Sequence, residues 1–226
     1  MLTLGIDEAG RGAVLGSLVI CGAVFEESDL PSLKLINVKD SKLLSPLQRR
    51  TLKPQIEKIA KMVMIEKLEA HEIDEKRAAG TNLNMLETLK FVSIINAVFK
   101  KMDIGKVVID VPDTNLKKYN RMLSGLIKRD DLKIVGEHHA DLNHVECSAA
   151  SVIAKVTRDA EIEELKKDYG DFGAGYPSDP KCINWLKERL KADGSLPKIV
   201  RHSWETVAKL NKKKSQTTFS KFTGVR

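Results

Sequence analysis

Leu2, Leu4 and Ile6 alternate with Thr3, Gly5 and Asp7, the two-residue period of a strand, and the pattern breaks at the glycines of Ala9-Gly10-Arg11-Gly12. The next apolar stretch, Leu15 to Phe25, reads as the hairpin partner of that strand. Ser45-Pro46 places a capping serine before a proline at the first helical position and predicts a helix to about Ala60, followed by a strand from Met62 to Leu68. From Asn82 to about Lys101 the apolar residues Leu83, Leu86, Leu89, Ile94, Ile95 and Val98 recur near helical spacing, so one face of a long helix is expected on the core. A buried strand Lys106 to Val111, an amphipathic helix around Leu116 to Lys128, a strand Lys133 to Glu137 and a long helix from about Val145 to Lys167 follow. Asp179-Pro180 repeats the cap-plus-proline signal for a helix to about Lys191, and Ser203 is expected to cap a last helix through Leu210. Strands therefore come first, helices and strands then alternate, and the last third is helical. Beyond Lys212 no core pattern remains, which predicts a disordered tail, and no internal repeat is present.

A chain of 226 residues is long enough for one full α/β core with a small helical satellite. Hydrophobic residues at 42% and charged residues at 31% describe a soluble globular protein. Met1 leads straight into the first strand, with neither a basic leader nor an apolar stretch of signal or anchor length. Cys21, Cys147 and Cys182 are odd in number, far apart and free of any CxxC pair, so a reducing cytoplasm and no membrane are expected. The net charge of +7 draws a polyanion such as nucleic acid, although charge alone is weak evidence and each Lys-rich helix also reads as a solvated face.

Chemistry enters with the carboxylates. Asp7 and Glu8 sit where the first strand meets its glycine turn, a position from which side chains of an α/β sheet face a cleft. Asp110 closes the apolar strand Val107-Val108-Ile109 and either faces solvent beyond the sheet or points into a site. Asp141, within His138-His139-Ala140-Asp141-Leu142-Asn143, also suits a turn or cap. Taken singly, each acid is more often structural than catalytic. If the strands bearing Asp7 and Asp110 are neighbours, three or four carboxylates converge with no Arg or Lys obviously placed to neutralise them, and a cation is required. Hard oxygen ligands select Mg²⁺ or Mn²⁺. Adjacent strand residues point to opposite faces, so Glu8 shares a site with Asp7 only at a twisted strand end. His138, His139, His144 and His202 lack the spacing of a zinc site.

Gly5-Ile6-Asp7-Glu8-Ala9-Gly10-Arg11-Gly12 resembles the opening signature of the type 2 ribonucleases H, ribonuclease HII. Further segments match that family in order: Lys39-Asp40-Ser41-Lys42-Leu43, Val108-Ile109-Asp110, Glu137-His138-His139-Ala140-Asp141, the run Ser148 to Asp159, and Gly173-Ala174-Gly175-Tyr176-Pro177-Ser178-Asp179. The resemblance spans most of the chain. It implies an α/β, ribonuclease H-like fold, a mixed five-stranded sheet flanked by helices with a helical C-terminal extension. The organisation expected is a catalytic core over 1–170, an extension over 171–211 packed on it, and a tail over 212–226.

The same resemblance implies an endonuclease that hydrolyses the RNA strand of RNA/DNA hybrids and cuts 5′ to ribonucleotides embedded in duplex DNA, leaving 3′-hydroxyl and 5′-phosphate ends. The family's metal-binding acids carry over to Asp7, Glu8, Asp110 and Asp141, all present, and imply two divalent ions roughly 4 Å apart that clamp the attacking and leaving oxygens. Gly10-Arg11-Gly12 is, by similarity, the sensor of the ribose 2′-hydroxyl, where glycine permits close backbone approach; the bland alternative is a tight turn. Tyr176 resembles the tyrosine that packs on the deoxyribose after the ribonucleotide, against the alternative of a core tyrosine. Lys42, Lys155 and Arg158 look like contacts to the nucleic-acid backbone, the last two being equally readable as ordinary surface charges.

In the tail, Gln216-Thr217-Thr218-Phe219-Ser220-Lys221-Phe222 is similar to a sliding-clamp-binding peptide through Gln216, Phe219 and Phe222. It departs at Phe219, where an aliphatic residue is usual, and at Thr223, where a second aromatic is common. A monomer is expected, with the clamp as a protein partner. Two rivals stand beside the nuclease: a catalytically silent nucleic-acid-binding protein on the same fold, against which the four intact acids argue, and another ribonuclease H-like nuclease such as a junction resolvase, which would share the acids but not the Gly-Arg-Gly turn or Tyr176.

Overall fold

The computed structural model describes residues 1–38, 43–113, 115–129 and 131–212. Five strands, β1 (Leu2–Ala9), β2 (Leu18–Glu26), β3 (Met62–Leu68), β4 (Lys106–Asp110) and β5 (Lys133–Glu137), form one sheet in the order β3-β2-β1-β4-β5. β1 runs antiparallel to β2 and parallel to β4, and β4 runs parallel to β5, so the sheet is mixed. The expected α/β, mixed five-stranded architecture flanked by helices is the one observed.

Helices cover both faces of the central strand. α4 (Leu83–Phe99), opened by Asn82 whose side chain accepts from the Met85 amide, brings Ile94 against Gly22 of β2, where a Cβ would collide with the isoleucine. α7 (Val145–Tyr169) crosses the other face so closely that a Cβ on Gly5 would run into the Glu146 carbonyl. Gly5 therefore serves close packing rather than a turn. With both faces buried, β2 and β4 read as almost unbroken apolar runs instead of clean alternations. The remaining helices are α1 (Leu30–Leu35), α2 (Pro46–Ile59), α3 (Ala70–Ala78), α5 (Leu116–Ile127), α6 (Ala140–Asn143), α8 (Pro180–Ala192) and α9 (205–212).

The cap signals at Ser45 and Asp179 stand: Ser45 and Gln48 exchange side-chain and backbone hydrogen bonds in a capping box, and the Asp179 carboxylate accepts from the Lys181 amide. Four expectations change. β1 continues past Asp7 to Ala9, because Glu8 and Ala9 pair in register with Ile20 and Val19. β2 begins at Leu18, since Leu15 bridges Val200 instead of extending the hairpin. α9 begins at residue 205, so Ser203 is not its cap, and the Ser203 amide is bound by Asp74. α1, α3 and α6 are additional; α3 buries only Ala70 and Ile73 and α6 is four residues long, so neither carries a readable apolar period.

The described residues form two compact units, each assembled from several chain segments. The first comprises Met1–Gly10, Leu18–Lys67 and Asn82–Asp159; it holds the sheet and a core that includes Ala23, Phe25, Leu33, Ile56, Ala150 and Ile153. The second comprises, among the described residues, Arg11–Ser17, Leu68–Thr81 and 160–212, around Val14, Leu15, Phe172, Trp185, Leu186 and Val200. Within this second unit the chain segments are tied by backbone hydrogen bonds from Val14 to Gly175 and from Gly16 to Ile199.

Candidate active site

The two-residue period puts Thr3, Gly5 and Asp7 on the α7 side of β1, and the parallel register of Gly5 with Val108 puts Lys106, Val108 and Asp110 on the same side of β4. Asp7 and Asp110 thus stand next to each other at the carboxyl ends of neighbouring parallel strands, the end of an α/β sheet where sites form. Asp141 enters from the first turn of α6, whose entry is set by His139 in the left-handed conformation. The Asp110 carboxylate accepts a 3.3 Å hydrogen bond from the Ala140 amide, which ties β4 to that turn. One carboxylate oxygen from each of Asp7, Asp110 and Asp141 lies within 4.8 Å of the others.

Electrostatics at this cluster suit a cation. Asp7 is held well above the ordinary carboxylate range, first by burial and then by the negative charges of Glu8 and Asp110, against a lowering hydrogen bond from Ser151. The buried Cys147 thiol, which donates to the Ile6 carbonyl at 3.1 Å, is pushed up by burial and by Asp7, Asp110 and Asp141 together. Three hard oxygen donors with excess negative charge in a buried setting suit a divalent ion.

Glu8 lies outside that set. It shares parity with Leu4 and Ile6, so it belongs to the opposite face, where its charge and that of Glu87 help raise the phenol of Tyr119 above its usual range, after burial. Its charge still reaches Asp7, and its amide donates to the Asp7 carboxylate at 2.7 Å.

The other expected residues divide. Gly10 closes the first unit with φ 89°, a conformation that favours glycine, whereas Gly12 has no such φ and open space where a Cβ would stand. The chain itself has no need of glycine at 12. Tyr176 is half-buried, beside the cluster that holds Phe172 and Trp185 but not among its members. Lys155 is half-buried and Arg158 is only 2% exposed, which displaces the reading of both as ordinary surface charges. Burial, and then the neighbouring Arg49 charge, lowers the Lys155 ammonium below its usual value. Lys42 and the tail residues Gln216, Phe219 and Phe222 lie outside the described residues.

A model of the family described as ribonuclease HII matches residues 4–207. The chain belongs to the ribonuclease HII family. It is 44% identical over 222 residues to ribonuclease HII of Pyrococcus furiosus, with 96% of each chain covered. The crystal structure of ribonuclease H2 from Pyrococcus horikoshii superposes with a TM-score of 0.85 at 41% identity, covering 94% of this chain and 98% of that one. The PCNA:RNase HII complex from Archaeoglobus fulgidus follows with a TM-score of 0.81 at 38% identity, covering 92% and 96%.

As a ribonuclease HII, the chain is a metal-dependent endoribonuclease that cleaves RNA in RNA/DNA hybrids. The silent binder and the junction resolvase are thereby set aside. Among the described residues no helix is long and apolar enough to cross a membrane. The site residue that the sequence reading missed is Ser151. Its signal was available: Ser148 and Ser151 are polar residues three apart on the buried face of an apolar helix segment.

Proposed function

We propose that this nuclease cuts on the 5′ side of ribonucleotides, in hybrids and as single residues embedded in duplex DNA, leaving 3′-hydroxyl and 5′-phosphate ends. The observation that carries the reading is the approach of Asp7, Asp110 and Asp141 to within 4.8 Å. These three acids would hold two Mg²⁺ or Mn²⁺ ions, and Glu8 would join them only by turning its carboxylate around the end of β1. Such ions, when bound, lower the pKa of water and neutralise charge on the attacked phosphate.

The protein's own residues supply orientation. Ser151 fixes the Asp7 carboxylate and the Ala140 amide fixes Asp110, so the acids are held before a ligand arrives. Arg11 and the open position at Gly12 let a sugar approach the backbone, and the 2′-hydroxyl, both donor and acceptor, can be read there. Tyr176 offers a ring face to the following deoxyribose, while Lys42, Lys155 and Arg158 add phosphate attraction without reading sequence. On the same reading the chain works as a monomer in the cytoplasm, and Gln216, Phe219 and Phe222 attach it to a sliding clamp. The relative found in complex with PCNA supports that attachment.

A duplex with one embedded ribonucleotide, incubated with Mg²⁺ or Mn²⁺, is expected to be cut 5′ to that residue. Asp110→Asn should abolish turnover while far-ultraviolet circular dichroism stays unchanged. Full activity in this variant would remove Asp110 from the site.

A further inference from the structure

Arg201 is fully buried, an expensive place for a guanidinium, and within the second unit it is surrounded by devices that hold it. Its Nε donates to the Gly16 carbonyl at 3.0 Å and its Nη1 to the Arg11 carbonyl at 3.1 Å. Its own amide donates to the Val14 carbonyl at 2.9 Å. One side chain thus spans the loop from Arg11 to Gly16 from within, and a lysine, with a single ammonium, lacks the planar fork to do so. The guanidinium is stacked 4.9 Å from the Trp204 ring, which Arg77 approaches at 5.3 Å. The backbone beside Arg201 is anchored as well: the two Asp74 oxygens accept from the amides of His202 at 2.6 Å and Ser203 at 2.9 Å.

We propose that Arg201 is a positioning residue for sugar recognition, holding the Arg11–Gly16 loop in the shape that lets its glycine-flanked start tell a ribonucleotide from a deoxyribonucleotide. The proposal rests on the assignment of Gly10-Arg11-Gly12 as the sensor of the 2′-hydroxyl. The Arg11 carbonyl is where the two meet. Fixing that oxygen fixes the plane of the Arg11–Gly12 peptide, and with it the direction of the Gly12 amide. A loop without this tie would sample other peptide orientations and bind both sugars alike.

The test compares the full chain with Arg201→Lys, reading KM for a duplex with one ribonucleotide and the inhibition constant of the same duplex made wholly of DNA. A loosened sensor should raise KM and leave the DNA constant unchanged, so that the ratio of the DNA constant to KM falls at least fivefold. A merely structural role would reduce the active fraction and therefore kcat, with both constants and their ratio intact; that result overturns the proposal. Should Arg201→Lys fail to fold, Trp204→Leu keeps the guanidinium and removes its stack, and the ratio is again expected to fall, an unchanged ratio again refuting the idea. Gly12→Ala separates the two layers. If it too leaves the ratio unchanged, the sensor assignment itself is wrong; if it lowers the ratio while Arg201→Lys does not, the sensor stands and the role of Arg201 is refuted.

Discussion

Asp7 is where the needs of folding and of chemistry oppose each other most directly. Burial, and then the charges of Glu8 and Asp110, disfavour its ionised form and hold it above the ordinary carboxylate range. The folded-state pKa therefore lies above the unfolded value, and between the two the folded chain binds more protons than the unfolded one. Stability from this group is present below the ordinary value of 3.8 and is lost as pH rises through the raised folded value. Urea denaturation of the metal-free protein should accordingly show Asp7→Asn gaining on the native chain as pH rises from 5 to 8, by on the order of 1 kcal/mol, while cleavage is lost. An equal or smaller stability of the variant across that range would mean that the acid cluster is not strained. The acids themselves were legible as motif positions at strand ends. Which face each takes was not: Glu8 follows Asp7 in sequence, and only the extension of β1 to Ala9, in register with β2, turns it to the other side of the sheet. Arg158 illustrates the same limit, since its charge suggests solvent and only the packing of α7 buries it.

At the scale of elements, the site depends on how closely α7 approaches β1. That contact runs through Gly5, where a Cβ would meet the Glu146 carbonyl and the Cys147 amide, both backbone atoms that cannot rotate away. Gly5→Ala must push the start of α7 off the strand, and with it Ser151 and the Cys147 bond to Ile6. We expect a loss of about 1–3 kcal/mol in chemical denaturation, accompanied by reduced kcat. Gly12→Ala provides the contrast, because nothing stands within 4 Å of its Cβ, so its melting temperature should match that of the native chain. A stable, fully active Gly5→Ala would show that the helix does not set the site. Elements with a strong apolar period or a cap, such as α4 behind Asn82 and α2 behind Ser45, could be read from sequence to within a residue or two. Those held by tertiary contacts could not. α3 is polar along most of its length and is fixed through Asp74 and Arg77, whose partners lie some 130 residues away in the chain.

Across the whole molecule, charge is distributed unevenly along the chain. The net +7 includes Lys212, Lys213, Lys214, Lys221 and Arg226, with no acid after Asn211, so the residues through Asn211 carry a formal +2. Each unit has its own apolar core, and the acids proposed to hold metal and the Arg11 loop all precede that point. Truncation after Asn211 is therefore expected to leave kcat unchanged. Affinity should respond differently, because each phosphate neutralised adds about 0.9 to the slope of log binding constant against log salt for duplex DNA. The full chain should show the steeper slope, and the truncated chain a shallower one with weaker binding at low salt and little difference at high salt. The same truncation should abolish association with a sliding clamp, measured by surface plasmon resonance on the immobilised clamp. The two losses separate by point substitution: Phe219→Ala with Phe222→Ala removes the aromatic anchors and keeps every cation, so it should lose the clamp while retaining the native salt slope. If that double variant still binds the clamp as the full chain does, the peptide assignment fails. If truncation leaves the salt slope unchanged, the phosphate contacts all lie before Lys212, and the basic tail has no part in holding the duplex.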